Sequence, residues 1–214
     1  MITDNDFKNI AELNYLPWIG ENYANKLLIV GESHYGEDNE KRIHEVNHPT
    51  FTRLAVLDMG VTGNTYGKVK FYNNIWRIGR KFIPEISKND FWQQVSYLNI
   101  VQSAMLEGSK RPQPKDFEIG STAFFKSILV LKPKYCLMAG LSSFGYITAK
   151  AEENSYRITN KIWFDKVGRS HPRQIEITHS SGYKTTLIFI THPSMYFSYN
   201  AWGDFLLSNF PDLV

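Results

Sequence analysis

The sequence predicts an α/β protein, a three-layer α/β/α sandwich around a mostly parallel central sheet of about four strands. Three observations predict it. Short apolar runs, bounded by glycine, proline or polar residues, recur at 27–30, 95–101, 135–139 and 185–190. Segments that read as helices, at 68–82, 115–131 and 199–209, are interleaved with these runs. The runs also stop abruptly at polar residues, which suits the carboxyl edge of a parallel sheet, where ligands bind in such folds.

Residues 1–25 read as a helical or irregular cap, anchored by Leu13, Tyr15, Leu16, Trp18 and Ile19. Leu27-Leu28-Ile29-Val30 is too short for a helix and reads as a buried strand ending at Gly31. Segment 37–49 is densely charged and reads as a solvated loop, and 51–59 as a short helix closed by Gly60. From 68 to 82, Phe71, Ile75, Ile78 and Phe82 share one helical face, and Pro84 ends the helix. A short helix is expected at 88–94, then the second strand, with Asn99 near its end. Segment 108–114 is a basic, proline-stiffened loop. The helix at 115–131 opens with Asp116 and Glu118, where its dipole favours acids, and closes before Pro133. The third strand ends at Gly140, and a helix returns at 142–153. Segment 154–173 carries no clear period, whereas 175–178 and 185–190 flank Ser180-Ser181-Gly182-Tyr183 as a hairpin. With no repeat or linker, residues 1–214 read as one domain.

The totals narrow the class. Forty-three per cent hydrophobic residues support a packed core, and 24 basic against 21 acidic residues leave a net charge of +3. That balance is compatible with a polyanionic partner. The single Cys136 excludes an internal disulfide and a multi-cysteine metal site, which suits a reduced compartment. No apolar stretch reaches the ~18 residues a membrane span needs, and the first residues lack a signal-peptide pattern. The expectation is a cytoplasmic monomer with no membrane contact and neither cofactor nor metal.

Chemistry concentrates at three strand ends: Gly31-Glu32-Ser33-His34-Tyr35-Gly36, Asn99, and Thr191-His192-Pro193-Ser194. A structural turn needs the glycines but not a carboxylate, a hydroxyl, an imidazole and a phenol between them. Glu32 and His34 are therefore the leading functional pair. Bland roles stay open for the others. Asn99 suits a turn cap, His192 a strand cap, and Phe71 and Phe197 the core.

In their order and spacing these motifs resemble the uracil-DNA glycosylase superfamily. Asn99 with Ile100-Val101-Gln102, then Arg111-Pro112-Gln113-Pro114, an acid-started helix and Leu131-Lys132-Pro133-Lys134 are similar to its bacterial single-domain branch. Thr191-His192-Pro193-Ser194 is similar to its second catalytic motif, Gly31-Glu32 to its first, and Lys70 to Trp76 to the aromatic helix start of mismatch-specific members. Ser33 stands where the best-known branch places aspartate and the mismatch-specific branch asparagine; His34 stands where the motif carries proline. One cysteine cannot build the four-cysteine iron–sulfur cluster of the thermophile-type branch.

The resemblance implies an enzyme that hydrolyses the N-glycosidic bond of a flipped uracil or another deaminated or mismatched base in DNA. It implies that His192 donates to the leaving base, Asn99 reads the base edge, and Glu32 or His34 holds water or stabilises the cationic sugar. Phe71 or Tyr35 would stack on the base, with Gly31, Ser33 and Ser194 lining the substrate site. Met195, Tyr196 and Phe197 would form a wedge into the duplex, and Lys110 and Arg111 would bind phosphates. Two other readings stand beside it. The Gly31–Gly36 loop also resembles that of erythromycin-esterase-like and haem-uptake-type hydrolases, in which Glu and His act on water or a metal. A glycosylase-fold protein that only binds nucleic acid is the third.

Overall fold

The structure, a computed structural model, describes residues 2–35, 46–62, 70–105, 111–194 and 196–214. Its strands are β1 Trp18–Ile19, β2 Leu27–Gly31, β3 His34–Tyr35, β4 Ser96–Asn99, β5 Ala104–Met105, β6 Tyr135–Ala139, β7 Tyr156–Trp163, β8 Arg173–His179 and β9 Lys184–Ile190. The helices are α1 Phe51–Ala55, α2 Lys70–Phe82, α3 Lys88–Gln94, α4 Pro114–Leu131, α5 Phe144–Lys150 and α6 Tyr199–Asn209. A π-helical segment, Val56–Thr62, prolongs α1.

Seven strands form one mixed sheet in the order β1-β4-β2-β6-β9-β8-β7. Its centre, β4-β2-β6-β9, is parallel throughout. The expectation of about four mostly parallel strands is therefore corrected: antiparallel β1 borders one edge of that centre, and the antiparallel pair β8 and β7 extends the other. Most of β7 was unreadable because its side chains, apart from Tyr156 and half-buried Ile158, face solvent. An exposed edge strand has no apolar face to give it a period.

Side chains alternate across each central strand, so one run of apolar residues feeds two cores. Leu28, Val30, Leu98 and Met138 face Phe117, Phe124 and Ile128 of α4. Leu27, Ile29, Tyr97 and Leu137 face Phe71 and Ile75 of α2, Phe91 of α3 and Trp202 of α6. Helices thus cover both faces of the sheet. Local chemistry sets their ends. Ser87 caps α3 by accepting from the Asp90 amide at 3.0 Å. Pro114 opens α4 beneath an Asp116 carboxylate that accepts from the Gln113 amide at 2.8 Å, and Lys132 closes it in the left-handed region.

The expected N-terminal cap is a single 3-10 turn, Asp4–Phe7, followed by irregular chain and β1. The helix expected over 142–153 divides into α5 and a 3-10 turn at Glu152–Asn154. Beyond the main sheet, β3 pairs with β5 in parallel, His34 opposite Ala104 and Tyr35 opposite Met105. This ribbon ties the exit of β2 to the exit of β4. Buried Gln102 fastens it further, donating to the Asn99 carbonyl at 2.7 Å and accepting from the Asn14 and Tyr15 amides at 3.0 Å. Among the described residues no helix is long and apolar enough to cross a membrane.

Candidate functional site

All four central strands are parallel, so their carboxyl ends lie on one edge, and a cavity of about 540 Å³ opens there. Glu32, Ser33, His34 and Tyr35 line it from the exit of β2, Asn99 from the end of β4, and His192 and Ser194 from the exit of β9. Phe71 and Arg111 of the expected set line it too, with Phe51, Met59, Tyr72 and Tyr97 joining them, whereas Gly31, Tyr196 and Phe197 do not. The volume falls within the range typical of small-molecule sites.

Asn99 is nearly fully buried, and its Oδ1 accepts from the Tyr97 hydroxyl at 2.5 Å. With the Tyr97 hydroxyl donating to the amide oxygen, the amide nitrogen is turned the other way. The amide nitrogen makes no hydrogen bond with the described residues and remains for the cavity that Asn99 lines. Burial pushes the Tyr97 phenol well above its ordinary value, which keeps it a donor at neutral pH. Gly31 sits opposite Asn99 in the register. A Cβ there would lie 2.2 Å from Asn99 Oδ1 and 2.4 Å from the Tyr97 hydroxyl. Gly31 therefore serves the site by leaving room for this pair.

His192 Nδ1 accepts from the Ser194 amide at 3.3 Å, which puts the proton of the neutral ring on Nε2. The Asn74 amide group donates to the Pro193 carbonyl at 2.7 Å and holds the turn. Burial lowers the His192 pKa, nearby Glu32 opposes the shift, and Arg111 adds to it. The lowered value leaves the ring neutral at pH 7, an Nε2–H donor with its centroid 5.5 Å from that of Phe71.

Glu32 accepts from Ser142 at 2.9 Å and from the Tyr35 hydroxyl at 3.3 Å. Arg111 donates to that same hydroxyl at 3.1 Å. The Ser33 Oγ is shielded and has no hydrogen-bond partner among the described residues.

His34 is different. Its ring lies edge-on to Tyr15 and Phe51, at 5.0 and 4.9 Å, and its Nε2 sits 2.8 Å from Thr52 Oγ1. Burial pushes its pKa down to about 3. The leading pair of the sequence is thus split: Glu32 keeps a carboxylate oriented by two hydroxyls, while His34 is a neutral clamp on the ribbon. Phe197, expected in the wedge, stacks on Trp202 at 5.9 Å and 4° and packs against the core beneath α2. Tyr196 is 76% exposed, at φ +49°. Lys110 and Met195 lie outside the described residues.

Tyr97 was legible in principle, since positions i and i+2 of a strand share a face and place it beside Asn99. Ser142 follows a strand-ending glycine on the same edge, a weaker signal of the same kind. Nothing local marks Phe51 or Thr52. Compared with protein-family models and with curated protein sequences, the chain matches none.

Proposed function

We propose that this protein is a base glycosylase of the uracil-DNA glycosylase type, hydrolysing the N-glycosidic bond of a flipped, oxo-bearing base in DNA. One observation carries the reading. Two fixed donors, the Asn99 amide and His192 Nε2–H, share one cavity with a hydrogen-bonded carboxylate, Glu32. The parallel centre of the sheet, with helices on both faces, supports the same reading.

The bond to be broken is shielded in a duplex, so the nucleotide must leave the stack to enter the cavity. As the C1′–N bond breaks, its electron pair departs with the base and positive charge grows on the sugar. His192 Nε2–H and the Asn99 amide answer the negative charge on the base oxygens. A neutral imidazole does this through Nε2–H while its Nδ1 accepts from the Ser194 amide. Glu32 faces the sugar, stabilises the cation and orients the water whose oxygen bonds to C1′. The proton lost by that water balances the one taken up by the base. Phe71 and Tyr35 offer ring faces to the base.

His34 does not serve as a second catalytic group in this account. With its Nε2 on Thr52 it positions the loop, and the Glu/His hydrolase reading loses its joint pair. The test is release of free base from oligonucleotides carrying uracil, hypoxanthine, xanthine or a mismatched thymine. Release should be lost in His192→Ala and in Glu32→Gln. Binding without release from any substrate would instead identify a nucleic-acid-binding protein.

A further inference from the structure

We propose that the β7–β8 hairpin is a second nucleic-acid contact, a basic and aromatic platform for the single strand that runs away from the cavity. The proposal rests on reading the cavity as a base site. Segment 156–173, which holds β7 and the turn into β8, carries Arg157, Lys161, Lys166, Arg169 and Arg173 against one acid, Asp165. None of these cations forms an ion pair with a described residue. The whole chain has a net charge of +3, so this one hairpin accounts for its basic character.

β8 runs antiparallel to β9 and β7 antiparallel to β8, so the turn between β7 and β8 lies at the sheet edge where the cavity opens. Arg169 lies over the exposed Tyr196 ring, 4.6 Å from its centroid, and Tyr196 follows the cavity residue Ser194 by two positions. Trp163 at the end of β7 packs edge-on to Phe144 at 5.8 Å, and Arg173 covers Phe144 at 4.7 Å. Phe144 follows Ser142, the partner of Glu32, by two positions. The two aromatic contacts therefore lie close in sequence to Ser194 of the cavity and to Ser142, the partner of Glu32.

Edge strands often carry lysine and arginine to discourage pairing with other chains, which would account for Arg157 and Lys161. It does not account for Trp163, which is 55% exposed, nor for Tyr196. A tyrosine in the left-handed region costs backbone energy, and its exposed ring recovers little of that cost by burial. Exposed aromatic faces beside unpaired cations are how proteins hold single strands: bases stack on the rings and phosphates meet the charges. A single strand fits better than a duplex because only unpaired bases offer free faces.

The experiment is fluorescence anisotropy of a labelled single-stranded oligonucleotide without damaged bases, titrated across salt, with base release measured on the same preparations. Wild type should bind with a steep salt dependence. Lys166→Glu/Arg169→Glu should weaken binding at least tenfold and lower the logarithmic salt slope by about 1.4, two single-strand phosphate contacts. Trp163→Ala should weaken it by roughly tenfold. All these side chains are exposed or at the edge, so circular dichroism and Tm should match wild type. Wild-type-like binding by the variants, or no binding by wild type, would overturn the proposal. Hairpin-dependent binding without base release would uphold the platform and defeat the glycosylase reading. Base release with hairpin-independent binding would do the reverse.

Discussion

His34 allows a test of the site's architecture without any substrate. Its ring is sealed between Tyr15, Phe51 and Thr52, and its pKa is pushed down to about 3 from an ordinary 6.5. The folded value lies below the unfolded one, so the stabilisation is fully present above pH 6.5. It is lost as pH falls, because the unfolded chain takes up a proton that the folded chain refuses. Between these two values the loss approaches about 1.4 kcal/mol per pH unit. Relative to pH 7, that amounts to about 1.3 kcal/mol at pH 5.5 and about 2.6 kcal/mol at pH 4.5. Urea unfolding at these three pH values measures it directly. His192 shifts in the same direction, so the informative quantity is wild type minus His34→Gln. The variant keeps a polar partner for Thr52 but removes the proton site. Its stability at pH 7 should fall, by about 1–3 kcal/mol for an imperfectly answered buried Thr52. Its pH profile should be flatter than that of wild type by the amounts above. Parallel profiles would refute the assignment and mean that a charged His34 is tolerated in the fold.

Three other substitutions probe the donors and the carboxylate. Tyr97→Phe removes the hydroxyl that orients Asn99; base release should slow roughly tenfold while stability changes by only about 1 kcal/mol, read as a Tm shift of about 2–4 °C. Gly31→Ala drives a methyl into Asn99 and Tyr97, and should cost about 1–3 kcal/mol in urea unfolding and abolish release. Ser142→Ala deprives Glu32 of its 2.9 Å donor, and should lower kcat by roughly ten- to hundredfold with KM and stability nearly unchanged.

The sequence reveals most where one side of an element is buried and the other is not. α2 shows its apolar face at Phe71, Ile75 and Ile78, and α6 spans the expected 199–209. The four central strands show as apolar runs because both faces are covered. β7 is hidden for the opposite reason, since most of its side chains reach solvent. The same logic divides the site. Glu32, Asn99 and His192 stand out as polar residues closing apolar strands, and the parallel sheet brings them to one cavity. Whether such a residue faces the cavity or the interior depends on partners far away in the chain. His34 is turned into a clamp by Thr52, 18 positions later, and Glu32 is oriented by Ser142, 110 positions later. Phe197 is drawn inward by Trp202 although its neighbour Tyr196 stays exposed. No local pattern carries that information.

The central claim is that the Asn99 and His192 donors hold a base whose bond to sugar Glu32 helps to break. The most direct measurement is release of free base from a panel of single- and double-stranded oligonucleotides, comparing wild type with His192→Ala. The account predicts release from at least one oxo-bearing base by wild type and at least a hundredfold loss in the variant, the order seen when one transition-state donor is removed. Equal release by the two proteins, or none by wild type from any substrate, would contradict it.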